Sequence, residues 1–165
     1  MLAHWSVDML LLLWAGSADA TEIGSRPFGL GLQLGEPFGI TGKYYLGGRR
    51  NAIDFLVGGN YDDDNFDDDD LYAHVNYHWH LVELTSGGGV AIPFRLGVGG
   101  FVAFGDNRWV EGDEDFLIGA RMPVGLDFDL ESAPVQFYIE IGVQLVILPP
   151  VDFGADAGIG VRYYF

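Results

Sequence analysis

The sequence predicts an all-β protein: an eight-stranded, antiparallel, up-and-down transmembrane β-barrel preceded by a cleavable signal peptide. Three observations carry that expectation. Apolar residues alternate with small or polar ones in eight separate stretches, and a period of two puts successive side chains on opposite faces of a strand. No apolar ribbon carries a charge, while the opposite faces are rich in glycine with a few ions of both signs. A sheet surface in water is normally densely charged and poor in glycine, whereas side chains crowd the bore of a small barrel. The polar face is therefore assigned inward and the apolar face outward. The third observation is the even strand number, which lets the sheet close with both chain ends on one side.

Composition bounds the rest. The chain has 165 residues, enough for one closed sheet and not for two cores. It contains no cysteine, which excludes a thiol nucleophile and any thiolate metal site and fits passage through an oxidising compartment. A net charge of -16 argues against nucleic acid, whose phosphates demand a basic surface, and leaves divalent cations or basic partners as compatible guests.

Residues 1–20 read as the signal peptide and 21–165 as the barrel domain. Met9 to Ala15 is an apolar core too short to span a bilayer, and Ala18-Asp19-Ala20 gives a small-x-small cleavage pattern. The leading segment departs from the rule, with His4 where Lys or Arg is expected, so either the true start lies upstream or the signal is weak. A buried N-terminal helix is the competing reading.

The first strand is expected near 27–35, where Phe28, Leu30, Leu32 and Leu34 alternate with Gly29, Gly31, Gln33 and Gly35 before a tight Glu36-Pro37 turn. In the second, 38–46, Lys43 lies opposite the apolar ribbon; in the third, 53–61, Asp54 does. The run Asp62-Asp63-Asp64-Asn65-Phe66-Asp67-Asp68-Asp69-Asp70 cannot be a strand and is read as a loop. The fourth strand, 71–81, sets Leu71, Ala73, Val75, Tyr77 and Trp79 against Tyr72, His74, Asn76, His78 and His80, and Glu83 to Gly89 is read as a flexible turn. Arg95 faces inward on the fifth, 90–104, which Pro93 and Gly99-Gly100 are expected to make irregular. A second acidic loop covers 105–115. The sixth strand, 116–126, carries Arg121 on its polar face, the turn Asp129 to Pro134 follows, and the seventh, 135–147, carries Glu140. The eighth, 153–165, sets Asp156 and Arg162 opposite an apolar ribbon that ends in Val161, Tyr163 and Phe165.

That ending looks like the C-terminal insertion signal of bacterial outer-membrane proteins, a terminal Phe preceded by outward apolar residues at alternate positions. Gly29 to Tyr45, Leu71 to His80, Ala120 to Leu126 and Gly158 to Phe165 together resemble an uncharacterised family of small bacterial outer-membrane-type β-barrel proteins. The match runs over nearly all of the chain after residue 20. It implies the fold and a place in the bacterial outer membrane and supplies no activity and no catalytic residues; the even strand number puts both termini in the periplasm. The long aspartate run is a departure from the family. The partners implied are outer-membrane lipid and lipopolysaccharide, and the barrel-assembly machinery through the C-terminal strand, with the protein a monomer.

Four kinds of chemistry are open to these residues. Lys43, Arg95, Arg121 and Arg162 are expected to pair with Asp54, Glu140 and Asp156 in an interior ionic network, because desolvated ions require partners. The network either plugs the bore or lines a narrow polar or proton path. His78 and His80, and more remotely His74, share a face from which rings could converge on one metal, with Asp54 or Asn60 as a third ligand; interior hydrogen bonding is the plainer reading. The carboxylates Asp62, Asp63, Asp64, Asp67, Asp68, Asp69 and Asp70 could hold a divalent cation weakly, without the ordered spacing of an EF-hand, and no other cofactor is expected. Catalysis is disfavoured. Of the serines after residue 20, Ser25, Ser86 and Ser132 all fall at the periplasmic end, which leaves a lipid-modifying enzyme using His with Thr41 or a Tyr as the alternative. A soluble calycin-like ligand-binding barrel is the other. The expectation is a structural or surface-interaction protein of the envelope, with acidic extracellular loops.

Overall fold

The computed structural model describes residues 25–59, 71–104, 116–148 and 151–165. The segment 1–20, Asn60, the run Asp62 to Asp70 and the second acidic stretch lie outside the described residues. Eight strands form one closed antiparallel barrel in chain order: β1 (Phe28–Glu36), β2 (Phe38–Tyr45), β3 (Asn51–Gly59), β4 (Leu71–Gly87), β5 (Val90–Phe104), β6 (Phe116–Leu130), β7 (Val135–Leu148) and β8 (Asp152–Tyr164). β1 and β8 close the sheet, from Gly29 opposite Tyr164 to Glu36 opposite Ala157. The β2–β3, β4–β5 and β6–β7 turns share a terminal end with Ser25 and Phe165. The β1–β2 turn and the connections after β3, β5 and β7 leave from the opposite, loop end.

The register fixes the tilt. A path along hydrogen-bonded partners from Gly29 passes Lys43, Asp54, Asn76, Gly99, Arg121 and Gln144 and reaches Gly154 on β8. Extended across the β1–β8 seam, it returns to β1 about ten residues beyond Gly29, which inclines the strands by about 40–45° to the barrel axis.

Alternation then sorts the side chains. Leu32 is 60% exposed and Ile141 59%, whereas Lys43 and Arg95 are 0% exposed, so the apolar ribbons form the outer wall and the ions fill the bore. The glycines of the inner face make room for their neighbours. A Cβ on Gly97 would come within 2.6 Å of the His78 ring, and one on Gly158 within 2.6 Å of the Gln33 amide. Outside, Phe28, Tyr44, Trp79, Phe137 and Tyr163 ring the terminal end, and Phe104, Phe116 and Phe153 mark the loop end. An apolar band between aromatic girdles is the pattern of a barrel that meets lipid. Val161, Tyr163 and Phe165 all point outward, 37%, 46% and 63% exposed.

Local expectations are corrected at four places. β4 runs to Gly87, and most of the segment read as a turn, Glu83 to Gly89, is strand; register shifts between His80 and Val82 and between Glu83 and Ser86 break the period of two there. β5 keeps its register through Gly99-Gly100, and the irregularity opposite Pro93 falls on β4 instead. β6 continues past residue 126 to Leu130, which turns Asp127 and Asp129 into the bore. β3 starts at Asn51, ahead of residue 53.

Candidate functional site

The bore is filled in three zones. Toward the loop end, Leu56, Tyr72, Phe101, Ala103, Leu117 and Val146 form an apolar plug, each at most 3% exposed. Tyr72 stacks on Phe101 with ring centroids 5.7 Å apart. Apolar side chains packed across a narrow bore exclude water, and ions with it. Nearer the terminal end, Tyr45 and Tyr164 stack at 5.7 Å over Ala52. Between the two lies an ionic lattice.

Four buried cations, Lys43, Arg95, Arg121 and Arg162, face five buried carboxylates, Asp54, Asp127, Asp129, Glu140 and Asp156, and the half-buried Arg49 supplies the fifth positive charge. Arg95 is the hub. From β5 its Nε donates to Asp127 Oδ1 on β6 at 2.9 Å and its Nη1 to Glu140 Oε2 on β7 at 2.5 Å, and Nη1 also lies 3.2 Å from both ring nitrogens of His78 on β4. Arg121 grips Asp156 with two donors, Nε at 2.7 Å and Nη2 at 2.5 Å, and shares Glu140 with Arg95 through a third bond of 2.6 Å. Arg162 donates to Thr41 Oγ1 at 2.7 Å, lies 3.4 Å from Asp54 Oδ2 and packs its guanidinium 4.0 Å from the Tyr138 ring centre. Lys43 crosses from β2 to Asp127 on β6 at 2.5 Å. Neutral amides take the remaining lone pairs: Asn76 bonds Asp54 at 3.0 Å and Gln144 bonds Asp156 at 2.6 Å. At the terminal mouth Arg49 pairs with Asp129, which also accepts from Gln136 at 2.6 Å.

All seven ionic residues singled out in the sequence are thus in the bore, and Arg95, Arg121 and Arg162 pair with the carboxylates expected, while Lys43 departs from expectation. Lys43 goes to Asp127, not to Asp54, Glu140 or Asp156, because β6 stands opposite β2 in the closed ring of eight strands and Asp127 lies near the level of Lys43. Asp127 and Asp129 were missed as site residues. The signal that finds them is Leu126, Phe128 and Leu130, which continue the outward ribbon and force the aspartates inward.

The histidines part company. His78 Nε2 lies 2.8 Å from Asp54 Oδ2, while His80, two positions on, lies 2.9 Å from Lys43 Nζ and 3.2 Å from Asp127. They do not converge on one point. His74 meets Tyr72 edge-on at 5.6 Å, next to the apolar plug. Among the described residues, the group with metal-ligand spacing is instead Asp54, His78 and Glu140, whose ligand atoms lie within 4.8 Å of one another. Arg95 Nη1 already stands among them, 4.0 Å from Asp54 Oδ2 and in contact with the other two. A guanidinium there supplies the positive charge a metal would bring and repels a second cation. Thr41 is 1% exposed and holds Arg162, so it offers no accessible hydroxyl for catalysis.

No known protein family and no curated protein matches the sequence. The structure is similar to the crystal structure of the N-terminal β-barrel domain of Pseudomonas aeruginosa OprF, with a TM-score of 0.58 at 15% identity, covering 84% of this chain and 95% of that one. The chain has the fold of an outer-membrane-type barrel. At that identity the likeness concerns the fold alone, and the ionic lattice is described from this chain's own residues.

Proposed function

We propose that the protein is a structural barrel of the bacterial outer membrane, a monomer with both termini in the periplasm and a bore that does not conduct. The observation that carries this reading is the closed, charge-balanced interior: five cations, Arg49 at the mouth among them, against five carboxylates, with an apolar plug on one side and stacked tyrosines on the other. A selective pore needs a continuous wet path or an unbalanced ring of charge, and the described residues provide neither. The small-barrel family suggested by the motifs belongs to the same reading.

The outward ribbon faces outer-membrane lipid, and Val161, Tyr163 and Phe165 on β8 present the feature by which the barrel-assembly machinery would take up the chain. The connections that carry the aspartate run and the second acidic stretch leave from the loop end, so the excess negative charge is presented at the cell surface, where divalent cations would bridge it to lipopolysaccharide phosphates. Single-channel recording in planar bilayers tests the central element. A flat baseline after verified insertion is expected, and stable, reproducible conductance steps would overturn the closed-bore reading.

A further inference from the structure

β8 outruns its neighbour at the loop end. Residues 152–156 pair with β7, from Asp152 opposite Val146 to Asp156 opposite Gly142, yet the pairing with β1 stops at Glu36 opposite Ala157, where the Glu36-Pro37 turn sends the chain into β2. Among the described residues the rim is therefore notched above the β1–β2 turn. At the terminal end the β8–β1–β2 rim has no such step, since the Phe165 amide donates to Phe28 O and Phe28 pairs with Tyr44; the step there lies between β3 and β4, where β4 runs on to Gly87 past its last β3 partner, Trp79 opposite Asn51.

The walls accordingly differ in height. With a rise of about 3.3 Å per residue and a tilt of about 43°, each residue adds about 2.4 Å along the axis. From Tyr163 to Phe153 the outer face of β8 then climbs about 24 Å, as β5 does from Phe94 to Phe104, and this matches the apolar band of about 25 Å that barrels present to lipid. From Phe28 to Leu34 on β1, or from Tyr44 to Phe38 on β2, the climb is only about 14 Å. A flat bilayer fitted to the tall wall would submerge the Glu36 carboxylate and the turn by about 5–7 Å, along with the one-sided backbone of β8 below Phe153 as far as Asp156. Hydrocarbon offers no partner to an open strand edge or a turn, so that arrangement is excluded on the short side.

We propose that lipid headgroups and their water descend into this notch, so that the outer leaflet is thinned beside β1 and β2 while it keeps ordinary thickness around β4 to β8. The inference rests on the outer-membrane reading above. Lipid is the occupant because the notch is continuous with the lipid-facing wall on its β8 flank: Leu34 below it is 61% exposed and Phe153 beside it 72%, with no break between them and the outer ribbons. The surface would select lipids whose chains are short or loosely packed, since those fill a shallow leaflet with least strain.

The absence of cysteine makes the test direct. Leu34→Cys and Met122→Cys stand at the same height by the register path, on opposite walls, 61% and 56% exposed. Each is labelled with a nitroxide, folded into vesicles of outer-membrane phospholipid, and its collisions with oxygen and with a water-soluble nickel chelate are compared. The expected result is a Met122 label in the hydrocarbon core, favouring oxygen, and a Leu34 label at interfacial depth, with a several-fold higher ratio of nickel to oxygen collisions. Equal, deep positions for both labels would overturn the thinning and leave the membrane reading intact. A Leu34 label shielded from both reagents would overturn it too, showing that a protein segment or a second copy covers the notch. Both labels in bulk water would overturn the membrane reading itself.

Discussion

Replacing Arg95 with methionine removes the cation on which the lattice converges. The side chain bridges Asp127 at 2.9 Å and Glu140 at 2.5 Å and touches the His78 ring, so one change loosens β4, β6 and β7 together. Asp127 keeps Lys43 at 2.5 Å and Glu140 keeps Arg121 at 2.6 Å, so neither carboxylate is stranded, yet the bore is left with one uncompensated negative charge. Removing one member of a buried pair costs about 3–5 kcal/mol, and the two surviving contacts place this case near the lower figure, about 3 kcal/mol. Arg95→Met combined with Glu140→Gln restores neutrality. The double variant should be more stable than the sum of the two single effects predicts, by about 1–3 kcal/mol. Urea unfolding in detergent micelles, followed by circular dichroism and by the gel mobility of unheated samples, measures all four corners of the cycle. An Arg95→Met barrel within about 0.5 kcal/mol of the parent, or strictly additive effects, would refute the claim that the lattice is one coupled unit.

Three further outcomes follow from the same geometry. Arg95→Ala vacates the centre of the Asp54, His78 and Glu140 group, so calorimetric titration with zinc should show a saturable site in that variant and none in the parent; the same heats for both would count against Arg95 as the resident cation. Gly31→Ala would drive a Cβ into the Val161 carbonyl on the paired strand, whereas at Gly100 the nearest atom is the Gly119 carbonyl at 3.4 Å. The first substitution should lower stability by about 1–3 kcal/mol and the second by less than about 1 kcal/mol, and a reversal of that order in urea midpoints would contradict the packing described. Deleting Phe165, whose amide bonds Phe28 O and whose ring packs on Tyr163 at 5.1 Å, should slow membrane assembly in cells, and wild-type levels of the folded form after a pulse of synthesis would argue against its role in insertion.

Strand identity and facing were legible because period two is a local property and eight ribbons repeat it without a charge. Lys43, Asp54 and Arg162 declare their face by their neighbours alone. Legibility failed where the pattern is locally broken. Around His80 to Ser86 two register shifts scramble the alternation, so a paired strand reads as a turn. Asp127 and Asp129 were lost for another reason: aspartates near Pro134 suggest a turn, and only the flanking Leu126, Phe128 and Leu130 show that the strand continues. Contacts across the bore were beyond local reading altogether. That Lys43 meets Asp127, and that His80 turns from His78 to join them, depends on the tilt and on barrel closure, which are properties of the whole sheet. The notch is intermediate, since the early Glu36-Pro37 turn is plain in the sequence but its depth emerges only against the register of β8.

The claim on which everything else depends is that the apolar ribbons face lipid and the ions face the bore. Diluting the urea-unfolded chain, residues 21–165, into buffer with or without phospholipid vesicles tests it most directly. The account predicts antiparallel β-sheet ellipticity and a shifted gel mobility that is lost on boiling, both dependent on vesicles, with aggregation in their absence. A monodisperse, cooperatively unfolding β-protein in plain buffer would contradict it, because a barrel stable in water would have to carry its apolar ribbons inside.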